Sequence, residues 1–416
     1  MNSYRPPGSV RSSAPRFVRD DAPPGSEAWA RPWVQLKTIT FSPAVYPAMI
    51  RAASPDAKPG ALVTVYRKDG GVFGVGLWNP KARVPLRVLA HGEQPAREDY
   101  LTTAIERAVD WRRDILQLDA RMDCYRVINS DGDALSGLTV DRYADTLSVE
   151  VHSLGIYQRL PELLPLLHAR LGTQREVVHV DDHIARIEGI TVKRAPTPPP
   201  KQVRVREHGV RYEVDFTKGH KTGFFCDQRE NRLLFSKLVK GRRVLDVCCY
   251  TGGFAVTAAT LGEPAEVTGV DLDEDAIAQA RRNGNLNQQN RIKWIHADGF
   301  GWMRQMHQNG ARWDAVVLDP PKLVQGDAEE QRLGWQKYED LNRLGASLVE
   351  PGGIFVTCSC SGLVTMEAFE ALVIRSTHRL NRRLQIFDRT GPGHDHPVLS
   401  NALEGRYLKV LWARLW

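Results

Sequence analysis

Past Gly241 the chain alternates regularly between short apolar runs and stretches with helical spacing, and most of the apolar runs end near an acid. Arg243-Val-Leu-Asp-Val247, Glu266-Val-Thr-Gly-Val-Asp271, Trp313-Asp-Ala-Val-Val-Leu318 and Gly353-Ile-Phe-Val356 read as strands covered on both faces, the pattern of a parallel sheet. Strand ends are expected near Cys249, Asp273, Asp298, Asp319 and Ser361. Two further strands, 384–389 and 407–414, close the chain as a hairpin. The pattern predicts an α/β domain over 203–416, with five parallel strands extended by that hairpin to seven.

Other periods govern the residues before it. Residues 1–30 are rich in Pro, Ser, Arg and Gly without apolar periodicity, and are expected to be a disordered arm. Over 31–92 the strands are short: 61–66 and 72–78 flank the hairpin signal Asp69-Gly-Gly71, and 85–89 follows, giving a small β-rich domain. A mixed α/β central domain is expected over 93–194. It has a helix at 98–118, strands at 124–128, 138–143 and 146–151, a helix near 156–172, and strand-like runs at 176–180 and 190–193. Ala195-Pro-Thr-Pro-Pro-Pro-Lys201 makes 195–202 a stiff Pro-rich linker, after which 203–206 and 210–216 read as a hairpin.

Two pairs of motifs sit at the predicted strand ends, where open α/β sheets bind ligands. Asp319-Pro-Pro-Lys322 ends one strand and Thr357-Cys-Ser-Cys-Ser-Gly362 another. If those strands are neighbours, an acid, a lysine and a thiol converge. Upstream, Asp246 precedes the turn Tyr250-Thr251-Gly252-Gly253, and Asp271 ends the next strand. The glycine spacing departs from G-x-G-x-x-G, which favours S-adenosylmethionine, lacking a pyrophosphate, over a dinucleotide. Asp271 is the candidate for the ribose hydroxyls, with Asp273 as a helix-capping rival. Asp298 can accept from the adenine amino group or cap a helix, and Asp246 can support the turn or meet the ligand's amino group. Cys358 and Cys360 lie two apart on a strand and share a face, so spacing does not choose between them.

Composition narrows the partners. The 416 residues are 42% hydrophobic and 25% charged, and the net charge of +7 favours a polyanion. No apolar stretch approaches the ~18 residues of a membrane span. Six cysteines without paired C-x-x-C or His spacing suggest reduced thiols in a cytoplasmic protein, with neither a disulfide framework nor a metal.

Several segments together carry a resemblance: Arg31-Pro-Trp-Val34, Ser130-Asp-Gly-Asp-Ala-Leu-Ser-Gly-Leu-Thr-Val-Asp-Arg-Tyr143, Gly219-His-Lys-Thr-Gly-Phe-Phe-Cys-Asp-Gln-Arg-Glu-Asn-Arg232, Tyr250-Thr-Gly-Gly-Phe254, Asp319-Pro-Pro-Lys322, Ser359-Cys-Ser-Gly362 and Asp395-His-Pro-Val398. They span nearly the whole chain after residue 30, and in them it resembles the RlmI-like class I ribosomal RNA cytosine-C5 methyltransferases. The resemblance implies an N-terminal PUA-like RNA-binding domain, a central domain, and a Rossmann-like class I methyltransferase domain with a seven-stranded sheet. It also implies S-adenosylmethionine as cofactor and 23S ribosomal RNA as partner; a homodimer is compatible with it. Cys360 fills the cysteine position of Ser-Cys-Ser-Gly and is thereby implied as nucleophile. Cofactor contacts are implied from Asp227, Gln228, Arg229, Tyr250, Thr251, Gly252, Gly253, Asp271, Asp298 and Asp319.

The chemistry fits that assignment. Carbon 5 of cytosine is too weak a nucleophile to take a methyl group directly, and a thiolate adding to carbon 6 makes it enamine-like. Asp319 can hold the base's N3 edge, order the sulfonium ligand or stabilise its own turn. Lys322 can lower the thiol pKa in a basic site, meet a phosphate or sit in solvent. His220 and Lys221 can position backbone or catalyse. Arg229 and Arg232 can reach phosphate, or pair with Asp227 and Glu230. Trp33 and Trp78 can stack on bases or fill a core. Two other functions compete: an N-methyltransferase acting on adenine N6 or guanine N2, and a non-catalytic RNA-binding or assembly protein.

Overall fold

A computed structural model describes residues 22–193, 200–216 and 224–416. The seven-stranded sheet is built from β1 (Arg243–Val247), β2 (Glu266–Asp271), β3 (Lys293–His296), β4 (Trp313–Leu318), β5 (Val349–Ser359), β6 (Leu384–Thr390) and β7 (Lys409–Leu415). Its spatial order is β3-β2-β1-β4-β5-β7-β6. The first five strands are parallel and β7 runs antiparallel between β5 and β6. Helices α1 (Gly253–Leu261), α2 (Glu274–Leu286), α3 (Gly299–Gln308), α4 (Ala328–Ser347) and α5 (Met366–His378) alternate with the strands. Val244, Ala315, Val317, Val356 and Cys358 enter one core, and Leu245, Val247, Val316, Leu318 and Phe355 the other. Period-2 alternation inside continuously apolar strands is what a doubly covered sheet requires.

The order reverses at β1 and β4. Parallel pairing sets Val247 opposite both Val270 and Leu318, and Leu318 opposite Thr357. The carboxyl ends of β2, β1, β4 and β5 are therefore level, and the motif-bearing turns follow along one edge. The two strands whose adjacency the sequence left conditional are neighbours.

The N-terminal domain is a six-stranded sheet in the spatial order Ala44–Val45, Leu86–His91, Val72–Trp78, Ala61–Tyr66, Trp33–Leu36, Ile50–Ala53. Trp33 and Trp78 are each 2% exposed, so both are core and neither is available to stack on a base. Order begins before residue 31: Trp29 stacks on Tyr66 with ring centroids 4.2 Å apart, and the Ala30 amide donates to the Tyr66 hydroxyl at 2.8 Å. The arm expected over 1–30 thus holds a folded end, while residues 1–21 lie outside the described residues.

The central domain carries four strands in the order Arg175–His179, Thr146–Val151, Leu138–Tyr143, Cys124–Asn129, against helices Tyr100–Asp110 and Leu154–Leu171. The strand expected at 190–193 does not form. A helix, Asp182–Glu188, precedes it, capped by the Asp181 carboxylate, which accepts from the His183 and Ile184 amides. Gly189, at φ +70°, ends that helix and lets the chain leave irregularly. Glu188 is buried and accepts from Asn79 Nδ2 at 2.9 Å and the Leu154 amide at 3.2 Å, tying the first two domains together. The proline linker falls largely outside the described residues; the hairpin after it is Gln202–Glu207 with Val210–Asp215.

The central and catalytic domains share one core, in which Cys124 and Tyr143 pack with Val205, Tyr212 and Phe224. Asp395 clamps the two together. Arg229 donates to both its carboxylate oxygens at 2.9 Å, the Arg126 amide donates to Oδ2 at 2.8 Å, and Arg112 donates to its carbonyl at 2.6 Å. Among the described residues, no helix is long and apolar enough to cross a membrane and no cluster of His, Cys, Asp and Glu suits a metal.

Candidate active site

Backbone geometry makes the cofactor side. Gly252 adopts φ +84°, and a Cβ there would come within 2.7 Å of the Trp294 ring, so a side chain would be strained twice over. Asp246 is fully buried below the turn; its Oδ2 accepts from the Ala255 amide at 3.0 Å, which fixes the start of α1. Asp271 closes the turn from the neighbouring strand, accepting from the Tyr250 amide at 2.8 Å and the Asp273 amide at 2.9 Å. Asp273 caps α2 and Asp298 caps α3, accepting from the Gly301 amide at 2.8 Å. Both capping alternatives are thus realised, and Asp298 stays exposed at the sheet edge. Thr251 lends its carbonyl to Asn283 at 3.0 Å, and the Gly253 carbonyl accepts from Tyr212 at 3.2 Å. Phe225, 40% exposed, tilts against Tyr250 with centroids 5.4 Å apart.

Asp227 and Gln228 reach the crevice from the segment before the helix Arg229–Ser236. Gln228 Nε2 donates to Asp319 Oδ1 at 3.0 Å, and Asn231 Nδ2 donates to Gln228 Oε1 at 2.7 Å. Tyr407 donates to Asp227 Oδ2 at 2.6 Å. Arg229 does not join them: it is fully buried and bidentate on Asp395, so its role is to fix this segment rather than to meet a cofactor. Arg232 is likewise engaged, with Glu207 at 2.6 Å rather than with Asp227 or Glu230. Gly219 to Gly223, with His220 and Lys221, lie outside the described residues.

The donor set suits S-adenosylmethionine. Asp227 Oδ1 and Asp246 Oδ1 are buried carboxylate oxygens without a hydrogen-bond partner among the described residues. Orphaned acceptors of that kind need an explanation, and a ligand carrying an ammonium and a sulfonium supplies one. The cation would face Asp227 and Asp246, and the ribose Asp271.

The thiol side is unlike this. Cys360 Sγ donates to the Pro320 carbonyl at 3.8 Å, which brings Asp319-Pro-Pro and Ser-Cys-Ser-Gly into contact. Cys358, on the same face, is wholly buried in the core. Burial pushes the Asp319 carboxyl up to about 7, with help from Asp227 and against the Gln228 hydrogen bond. Burial also pushes the Cys360 thiol up to about 11, and the Asp319 and Asp227 charges add to it. The expectation of a thiol activated by basic surroundings is therefore not met: its neighbours are acids. Lys322 is exposed, and the cation that opposes those acids is Lys409. Its stem is buried on β7, its Nζ donates to the Ser361 and Tyr407 carbonyls at 2.6 and 2.7 Å, and burial lowers its pKa to about 8. In sequence Lys409 was only one polar residue in a predicted strand; the pairing of Ser359 with Lys409 is what brings it to the thiol. Tyr338 completes the turn, with its hydroxyl 3.1 Å from Ser361 Oγ and accepting from Ser359 Oγ at 3.0 Å.

Comparison with known proteins identifies the family and the fold. Residues 182–402 match the S-adenosylmethionine-dependent methyltransferase family and residues 37–91 a PUA-like domain. Ribosomal RNA large subunit methyltransferase I of Shewanella denitrificans is 33% identical over 92% of this chain and 95% of its own. The chain belongs to that methyltransferase family. Its Salmonella arizonae counterpart is 31% identical over 90% of this chain and 93% of its own. The methyltransferase fold is also that of SMU.776 complexed with SAH, at TM-score 0.71 and 20% identity, covering 85% of this chain and 91% of that one. The cofactor of the methyltransferase is S-adenosylmethionine.

Proposed function

We propose that this methyltransferase forms 5-methylcytosine in large-subunit ribosomal RNA through a covalent bond between Cys360 and carbon 6 of the base. The observation that carries the reading is the thiol of Cys360 against the Pro320 carbonyl, immediately beside Asp319. An N-methyltransferase acting on an exocyclic amine needs no thiol there. The RNA class is supported by the names of the relatives that match along nearly the whole chain.

S-adenosylmethionine, when bound, supplies an electrophilic methyl group. Cys360 passes its proton to a solvent base and its sulfur adds to carbon 6, moving the electron pair toward carbon 5 and N3. Asp319, with a pKa of about 7, holds a proton that it can donate to N3 as that charge develops. Lys409 stabilises the thiolate and, through the Ser361 carbonyl, fixes the turn that carries it. After methyl transfer the carbon-5 proton leaves to a base, the Cys360 sulfur is expelled, and N3 returns its proton to Asp319. Asp227, Asp246 and Asp271 orient the cofactor throughout.

RNA carrying 5-fluorocytosine tests this, because fluorine cannot leave as a proton does. Wild-type enzyme should form a denaturation-resistant adduct with it, whereas Cys360→Ala should form none while retaining S-adenosylmethionine binding by calorimetry. Methylation at an exocyclic amine by Cys360→Ala would transfer the assignment to an N-methyltransferase.

A further inference from the structure

The two-stranded hairpin Gln202–Glu207 with Val210–Asp215 has no counterpart in the chemistry above, yet its outward face is unusual. Val203, Val205, Val210, Tyr212 and Val214 point into the core, and Arg204, Arg206 and Arg211 point out. Register sets Arg206 directly opposite Arg211. Side chains so paired lie about 5 Å apart at Cβ, and like charges there repel. Arg121, from the central domain, joins Arg206, His208 and Gly209 around an open concavity of about 390 Å³. The guanidinium groups of Arg121, Arg206 and Arg211 are exposed and have no hydrogen bond or ion pair among the described residues. The nearby acids are engaged elsewhere: Asp123 accepts from the Arg206 amide at 2.6 Å, Glu207 binds Arg232 at 2.6 Å, and Glu230 lies 3.3 Å from Arg229.

We propose that Arg121, Arg206 and Arg211 form a phosphate-binding shoulder that holds the RNA backbone beside the catalytic crevice, an inference that rests on the RNA reading above. A repulsive cross-strand arginine pair costs stability unless an anion bridges it, and the guanidinium fork matches a phosphate. The shoulder is rigidly joined to the site. Glu207, next to Arg206, holds Arg232, whose Nη1 donates to the Phe225 carbonyl at 3.0 Å, and Phe225 lies on Tyr250 of the cofactor turn. Tyr212, next to Arg211, donates to the Gly253 carbonyl of the same turn at 3.2 Å. Backbone held here would share one rigid frame with the cofactor.

The test is fluorescence anisotropy with labelled large-subunit ribosomal RNA transcript over a salt series. It compares the wild-type chain, the triple variant R121Q/R206Q/R211Q and a control, Arg332→Gln, which removes an exposed arginine already paired with Glu329. The triple variant should bind at least tenfold more weakly, with a log–log salt slope shallower by roughly 2–3 units. It should bind S-adenosylmethionine as wild type does, and the control should match wild type throughout. Equal slopes for the triple variant and wild type, with wild type binding well, overturn the shoulder and leave the RNA reading intact. A wild-type chain without salt-dependent RNA binding overturns both.

Discussion

The crevice has two sides built on opposite principles. Between β1 and β2, acids sit on backbone amides: Asp271 accepts from Tyr250 and Asp273, and Asp246 from Ala255. Those bonds tie the turn after β1 both to its own helix and to the end of the neighbouring strand, so backbone amides set its shape. Burial raises the Asp246 carboxyl as well, but between β4, β5 and β7 an acid, a thiol and an amine are all held away from their ordinary ionisation. Asp319 is raised to about 7, Cys360 to about 11, and Lys409 is lowered to about 8, burial being the first cause each time. Groups poised in this way belong where protons must move. The comparison teaches that one side takes its shape from backbone hydrogen bonds, while the other gathers an acid, a thiol and an amine whose ionisation substrate can change.

The largest expected effect separates the two thiols. Cys360→Ala should abolish methyl transfer and leave cofactor affinity within twofold, whereas Cys358→Ala, a core truncation, should keep most activity while lowering the melting temperature. Single-turnover methylation and thermal denaturation report the two; a dead Cys358→Ala with a normal melting curve would exchange their roles.

Next is the Asp319 carboxyl itself. The folded pKa of Asp319, about 7, lies above its unfolded value, so the native state binds the proton more tightly. Its contribution is favourable at low pH and is lost as pH rises from about 4 to about 7. Asp319→Asn cannot titrate, so its stability relative to wild type should rise by about 3–4 kcal/mol between pH 4 and pH 8. Urea titrations at the two pH values measure this, and a constant difference would place the Asp319 charge in water.

On the cofactor side, Asp271→Ala removes an acid whose two oxygens organise the turn. Charge-assisted hydrogen bonds contribute about 1.5–3 kcal/mol, so S-adenosylmethionine affinity should fall roughly tenfold or more in calorimetry, with the Cys360 pKa unmoved. The smallest effect tests the cation that Lys409 places beside the thiol. Lys409→Met removes the charge that opposes Asp319 and Asp227, so the Cys360 pKa should rise, by about one unit. The alkaline limb of iodoacetamide reactivity reads this shift directly; an unchanged limb would mean that Lys409 does not act on the thiol.

Periodicity carried most of the catalytic sheet. Trp313–Leu318 and Glu266–Asp271 form where their apolar runs end, because a strand buried on both faces needs a short continuous apolar stretch and little else. Elements decided by local capping were less legible, as the helix Asp182–Glu188 displaced the strand expected after it. The end of the expected arm, where Trp29 stacks on Tyr66, depended on a partner far along the chain.

By itself, then, the order of residues determined the β/α alternation, the glycine turn after Asp246, and the acids and thiols at strand ends. These are consequences of nearest neighbours and of period. Tertiary structure alone decided that Arg229 is bound to Asp395, 166 residues away, and is unavailable to the cofactor. It also decided that Lys409 rather than Lys322 faces the thiol, and that Cys360 lies among acids. Those outcomes follow from which strands pair and how deeply each charge is buried, and in a low-dielectric crevice burial sets the protonation of every group that reacts.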